Sequence, residues 1–239
     1  DRERLGGTVP CVRYALPTTR RLAILAEDAA AGSSCRALLL SNHGALCLGS
    51  TIEDALQLAL DLEEIAEKEI LSRFSIGATR RDLLEHYAPT SSVTVVDERA
   101  EKKLLEVLST HFSKKKLVIH KGPYLSAAAR ARKTIYPMVD DLAQLIGPSL
   151  PVVDLDSPFA SVLVRKALMT RNAVLIPGLG CLCIGNDDSE LEATSMVAEK
   201  GCRVAIESSF LGGGYRISWP ETLLMRAIFL AKYSKKAAG

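Results

Sequence analysis

The stretch ALLLSNHGALCLG, residues 37–49, decides the fold. Two apolar runs, 37–40 and 45–48, are too short for helices and flank the turn residues Ser41, Asn42, His43 and Gly44, a pattern that predicts two strands joined by a tight turn. The same frame returns as AVLIPGLGCLCIG, residues 173–185. A shift of 136 residues aligns the two without a gap, so that Ala37, Leu39, Gly44, Leu46, Cys47 and Gly49 meet identical residues, and Glu63 then meets Glu199. The histidine does not return, because Leu179 holds its place. A repeat at fixed offset governs how the rest of a chain is read. Here it predicts two related units, one equipped for chemistry and one that has lost it.

Working outward, 9–14 is expected as a short strand ended by Pro17, and 18–31 as a helix with Leu22, Leu25, Ala26 and Ala29 on one face. Residues 1–9 are expected to be a frayed start. After the first strand pair, Ser50 to Glu53 has the pattern of a capping box with Ser50 as N-cap. Ile52, Ala55, Leu56, Ala59, Leu62, Ala66 and Ile70 then follow at helical spacing, predicting a long helix whose apolar stripe packs on the strands. The stretch 88–92 is the best linker. Beyond it, 97–112 predicts a helix, 117–120 a strand, and 125–132 and 139–146 helices. From Pro151 the opening pattern repeats: strand at Val152 and Val153, helix over 159–169, strand, turn, strand, Asn186 as N-cap, and a helix. Pro10 and Pro17 have counterparts at the same spacing in Pro151 and Pro158, and the second copy is five residues shorter between that segment and the turn. A last helix is expected over 221–233.

Bulk properties narrow the function. The chain of 239 residues is 48% hydrophobic and 24% charged, the composition of a globular protein. A net charge of +2 gives no field that favours nucleic acid or an anionic membrane, and the runs Lys114 to Lys116 and Lys235 to Lys236 read as solvated surface. No apolar run reaches the roughly 18 residues of a membrane span. No secretory signal opens the sequence, and six cysteines in a chain this long read as free thiols in a reduced, cytoplasmic protein. Cys181 and Cys183 have the wrong spacing for a zinc knuckle.

The frame Leu40 to Ala45 with Gly49, followed by Glu53, Ala55, Leu62 and Glu63 on the helix, resembles the class II aldolase/adducin family, the sugar-phosphate aldolases of the fuculose- and rhamnulose-phosphate type and the related ribulose-phosphate epimerases. The resemblance runs over about residues 7–87 and returns, weaker, over 117–207. It implies a layered α/β fold with a mainly antiparallel sheet flanked by helices. It also implies a divalent metal, usually zinc, held by three histidines: one in the Asn-His-Gly turn, matching His43, and two on an upstream His-x-His strand, with a catalytic glutamate further upstream. The residues ahead of Val9 are too few to supply those in the first copy. In the second, Val118 to Tyr124 is similar to that strand, with His120 in place, Gly122 where the second histidine is expected and Leu179 in the turn.

Domains are therefore expected at 1–87, the C-terminal portion of an aldolase-like unit, and 88–239, a shortened, degenerate one. The resemblance implies a carbon–carbon lyase acting on a small sugar phosphate, in which a metal steadies the enediolate left by bond cleavage. His43 is the expected metal ligand. It sits on a turn that fixes its direction, though one imidazole is short of the three protein ligands a catalytic zinc uses. Non-catalytic assembly of the adducin kind is the rival, and an epimerase the third reading. A homo-oligomer is expected. Glu63 and Glu199 read as helix anchors, His120 as a strand-end residue, and His86 and His111 as surface. Tyr14 and Tyr233 have no spacing that assigns them a role. The loop Leu211 to Arg216 reads as a flexible connection, with a phosphate cradle as the alternative.

Overall fold

The computed structural model describes residues 3–90, 96 and 98–232. The chain divides into two compact units, 1–78 and 79–239. The division falls ahead of the expected linker, part of which (Ser91, Ser92) lies outside the described residues.

The first unit holds β1 (Cys11–Val12), α1 (Arg20–Ala31), β2 (Ala37–Leu40), β3 (Gly44–Cys47) and α2 (Ile52–Phe74). β1 runs parallel to β2, and β2 pairs antiparallel with β3 in the register Ala37↔Cys47 to Leu40↔Gly44. Gly44 adopts φ 131°, a conformation that a side chain resists, so the turn can close only with glycine there. The core is small: Leu5, Cys35, Ala37, Leu58 and Leu62. Arg4 and Leu5, in the stretch expected to be frayed, are tied down. Leu5 is 4% exposed, and Arg4 reaches Asp61 and Glu64 on α2 at 2.6 and 2.9 Å.

Two readings of α2 need correction. Its N-cap is Thr51, whose hydroxyl accepts from the Asp54 amide at 3.1 Å, and it is the Asp54 carboxylate that takes the Ser50 amide at 3.0 Å and Arg36 at 2.7 Å. The capping pattern is real but one residue later than read, because the hydroxyl of Thr51 as well as that of Ser50 suits the role. The apolar stripe also differs. Leu58 and Leu62 are the buried residues, while Ile52 and Leu56 point outward at 83% and 58% exposure. α2 is apolar on two faces, and periodicity alone does not say which one the strands take.

The second unit holds α3 (Arg80–Tyr87), α4 (Glu98–His111), β4 (Lys116–His120), α5 (Pro123–Arg130), a π-helical turn (Leu142–Ile146), α6 (Ala160–Leu168), β5 (Ala173–Ile176), β6 (Gly180–Gly185), α7 (Asp188–Ser209) and α8 (Trp219–Lys232). Its sheet has the order β4-β6-β5, antiparallel throughout, with a parallel bridge from Val152 to Leu175 along the outer side of β5. The core joins Leu104 and Leu108 of α4 and Val164 and Leu168 of α6 to Val174, Ile176, Leu182 and Ile184 of the strands. α3 was not foreseen, since its box of Thr79 and Asp82 opens only two turns of helix. The expected helix over 139–146 is a π-helical turn, whose Gln144 and Leu145 carbonyls accept from buried Arg226 of α8 at 2.8 and 2.5 Å. The N-cap of α7 is Asp187, not Asn186.

The two hairpins share one geometry. β5 and β6 pair in the register Ala173↔Cys183 to Ile176↔Gly180, each pair 136 residues beyond its counterpart in β2 and β3. The turn bond from the His43 amide to the Leu40 carbonyl, 2.9 Å, matches that from Leu179 to Ile176, 3.0 Å. Leu39 donates to the carbonyl of Pro10, and Leu175 to that of Pro151. Thr51, Asp54 and Ser50 correspond to Asp187, Glu190 and Asn186, with the same bonds among them.

Two measurements test this account. The hydrogen bond from Arg36, and after it the Ser50 amide, hold the Asp54 carboxyl at about 2, below its ordinary 3.8. A depressed carboxyl contributes stability above its unfolded pKa and loses it as pH falls through the folded one. The Ser50 amide is therefore expected to lose protection between about pH 4 and pH 2, and Arg36→Gln to move that loss upward, as read by NMR. Leu182→Ala in the closed core is expected to cost about 3 kcal/mol of local stability, and Leu46→Ala, on the counterpart strand, about 1 kcal/mol or less, by native-state hydrogen exchange of each hairpin.

Candidate functional site

His43 sits at the tip of the β2–β3 turn, half-buried, and its direction is set from three sides. Its amide closes the turn, its Nε2 lies 2.8 Å from the Ala15 carbonyl, and its ring stacks on Tyr14 with centroids 5.5 Å apart and planes 16° from parallel. Against a carbonyl, Nε2 must carry the proton, which makes Nδ1 the basic nitrogen of the neutral ring. Ser41 adds to the frame through its amide to the Val12 carbonyl, 3.1 Å, and its hydroxyl beside the Cys11 thiol, 3.4 Å. Tyr14, which spacing left unassigned, is the residue that orients the histidine. Its signal in the sequence was only its place just after β1, the strand that runs parallel to β2.

One imidazole does not make a zinc site. Among the described residues no group of three or more His, Cys, Asp or Glu side chains is placed to hold a metal ion. Glu63 is exposed on α2. The donors of the first unit thus fall short of a zinc centre by at least two.

The second unit fills the corresponding places with other chemistry. Leu179 takes the turn position of His43 and is 3% exposed in the core with Leu182 and Ile184. His120 is exposed at the end of β4, opposite Cys181. At position 122 any side chain would run into the Glu199 carboxylate. That carboxylate accepts from the amides of Tyr124 and Leu125 at 2.9 and 3.0 Å, so Glu199 closes the N-terminus of α5, where Gly122 offers no side-chain cap. Glu199 is thus a helix anchor, carried on α7 and reaching α5. Around it lies a cleft of about 590 Å³ whose walls include Arg80, His120, Glu192, Met196, Lys200 and Arg203. Lys200 is paired with Asp141 at 2.7 Å and Arg203 with Glu207 at 3.0 Å. Burial, and then its bond to Glu207, pushes the Tyr124 phenol well above its ordinary 10.

The remaining expected sites disperse. His86 lies against the Phe210 ring at 5.8 Å, and His111 Nδ1 against the Val107 carbonyl at 2.9 Å within α4. Cys181 and Cys183 are buried free thiols with sulfurs 3.8 Å apart. The loop at Gly212 and Gly213 takes φ 93° and 95°, and Arg216 stacks over Tyr136 at 4.5 Å. Tyr233 and Lys235 to Lys236 lie outside the described residues. No described helix is long and apolar enough to cross a membrane.

Gly122→Ala is expected to push the Glu199 carboxylate off α5, to expose the Tyr124 and Leu125 amides to exchange, and to cost about 1–2 kcal/mol, measurable by amide exchange and urea unfolding.

Residues 2–70 match the family model described as the Class II Aldolase and Adducin N-terminal domain. The family resemblance read from the hairpin and its helix holds over that segment. No curated protein matches the chain. Among solved structures it is similar to L-fuculose 1-phosphate aldolase, with 16% identity and TM-score 0.47 over 53% of this chain and 61% of that one. It is also similar to the L-fuculose 1-phosphate aldolase of Glaciozyma antarctica PI12, with 18% identity and TM-score 0.45 over 56% and 52% of the two chains. YgbL from Escherichia coli follows, with 13% identity and TM-score 0.43 over 53% and 65%. The chain spans less than two thirds of the length of each.

Proposed function

We propose that this protein, whose residues 2–70 carry the class II aldolase and adducin N-terminal domain, works as a class II aldolase-like carbon–carbon lyase on a small sugar phosphate. The observation that carries the reading is the Asn-His-Gly turn, with His43 held by Ala15 and Tyr14 and its basic nitrogen turned away from the carbonyl. His43 is one ligand of a divalent metal, zinc by preference for imidazole. The other donors and the general base come from outside the described residues of the first unit, in an assembly that includes further copies of the chain. The described donors do not complete the shell of that metal.

The two units are one fold used twice, the second with its catalytic part lost. Support comes from the shared hairpin register and from the same bonds around Asp54 and Glu190. Leu179 in the core and Glu199 capping α5 favour a second reading for that unit, a non-catalytic part that serves binding or assembly.

The test is elemental analysis of the protein recovered without chelator in its native assembly, beside His43→Ala. About one zinc per chain, lost in the variant together with retro-aldol cleavage, is the expected result. Zinc absent, or unchanged by the substitution, overturns the lyase reading and leaves binding or assembly as the function.

A further inference from the structure

A second cleft of the second unit, about 490 Å³, shares no wall residue with the one around Glu199. Backbone ties build it. The segment after α5 is held by mutual bonds, the Ile135 amide to the Leu150 carbonyl at 3.0 Å and the reverse at 2.8 Å. The Ile217 amide donates to the Pro137 carbonyl at 2.9 Å, which brings the glycine loop after α7 back beside that segment. Gly214 completes the fit, since a side chain there would come within 3.2 Å of the Met138 sulfur and 3.4 Å of Ser208. The end of α3 supplies a further wall with His86 and Tyr87.

Rings and cations dominate these walls. His86 and Tyr87 lie against Phe210, with centroids 5.8 and 6.5 Å from it. Lys133 Nζ stands 5.2 Å over the Tyr87 ring, and the Arg216 guanidinium 4.5 Å over that of Tyr136. No aspartate or glutamate is among the described residues that line the cleft. Neither Lys133 nor Arg216 is ion-paired among the described residues. A ring face attracts a cation through its quadrupole but does not neutralise its charge, so both cations keep donors for an anion. Tyr136 is 43% exposed and leaves ring surface open to a ligand as well. The Glu199 cleft differs on the same count: Lys200 and Arg203 have carboxylate partners, and Glu192 and Glu199 stand in its walls.

We infer that this cleft binds a free nucleotide, with its phosphate on Lys133 and Arg216 and its base stacked on the aromatic walls. Phosphate takes a guanidinium in bidentate fashion and an ammonium as a point charge, and the cleft offers both. Exposed tyrosine and phenylalanine rings stack with a flat heteroaromatic base. Thr134 adds a hydroxyl to the wall as a hydrogen-bonding group. The volume of about 490 Å³ lies within the range of small-molecule pockets. A sugar phosphate without a base would leave the aromatic walls unused. A nucleic-acid strand calls for a basic track, which a net charge of +2 does not furnish. The loop from Leu211 to Arg216 thus serves a phosphate through Arg216 rather than through a cradle of amides, because the Gly213 amide is already bonded to the Ser208 carbonyl at 2.8 Å. The inference deepens the binding reading of the second unit. It needs neither His43 nor a metal and stands apart from the lyase reading.

The experiment titrates the full chain with ADP, without added divalent cation, by calorimetry and by amide shifts at single residues. Saturable binding is expected, about tenfold or more tighter than that of adenosine or inorganic phosphate alone, with shifts over 133–138 and 208–216. Arg216→Gln and Lys133→Gln, both at exposed positions, are each expected to weaken ADP by about tenfold. Tyr136→Leu is expected to weaken ADP but not inorganic phosphate, a split that a purely electrostatic site would not show. Lys166→Gln, which removes an exposed cation of α6, is expected to leave ADP binding unchanged. No saturable binding at millimolar ADP overturns the inference, as do shifts confined to the Glu199 cleft. Inorganic phosphate or O-phosphotyrosine bound as tightly as ADP overturns the assignment to a nucleotide. An RNA oligonucleotide bound more tightly than ADP overturns it too, in favour of nucleic acid. The zinc content of the His43→Ala variant is independent of all these results, so the two readings fail separately.

Discussion

A carboxylate in the first turn of the helix after each hairpin holds the unit together. Asp54 takes the guanidinium of Arg36, from just ahead of β2, together with the amide and hydroxyl of Ser50, from just after β3. Glu190 does the same with the Asn172 side chain and with the amide and side chain of Asn186. One side chain thereby ties the way into the hairpin, the way out of it and the start of the long helix. Gly49 and Gly185 are the steric complement of that tie. A side chain at either would meet the backbone amide of the helix's first turn, at Ala55 or Leu191. The spacing of the motif, from strand through turn to helix, follows from these contacts, because an insertion anywhere within it would separate the carboxylate from a partner.

The same tie is used with different charge. Arg36 brings its own cation to Asp54, on a surface where both are partly exposed. In the second unit Asn172 stands in that place, and the cation comes from α8: Arg226 donates to Asn172 Oδ1 at 2.7 Å while it satisfies the π-turn carbonyls. Burying an arginine costs solvation, and here three carbonyl-type acceptors offset it. The second unit thus draws α8 and the π-turn into the hairpin's support. The first packs α1 and α2 on its sheet, and its described core cluster holds five buried residues.

Much of this was legible, and the limits have physical causes. The hairpin, its turn and the long helices follow from short apolar runs, turn residues and helical spacing, all local signals. Helix starts slipped by one residue at Ser50 and Asn186 because two adjacent polar residues each suit a cap, and only the position of Asp54 or Glu190 decides between them. The buried face of α2 was misread because Ile52 and Leu56 continue a perfect apolar period that nothing in the described residues covers. α3 escaped because a two-turn helix has little periodicity to read. At the site, His43 was visible from its turn, whereas Tyr14 and the Ala15 carbonyl reach it through the parallel pairing of β1 with β2, a long-range contact that no local pattern announces.

The turn position shows what a polar side chain costs a fold. Leu179 is 3% exposed and is one of eleven buried residues in its core cluster, so the second unit gains apolar burial at the tip of its hairpin. His43 forgoes that. Its imidazole has to be kept in a polar setting, and the first unit spends a backbone carbonyl and a tyrosine ring on holding it. A residue chosen only for stability at this place would resemble Leu179. A histidine there trades apolar packing for polar and ring contacts. At position 122 a glycine leaves space for the Glu199 carboxylate, which caps α5.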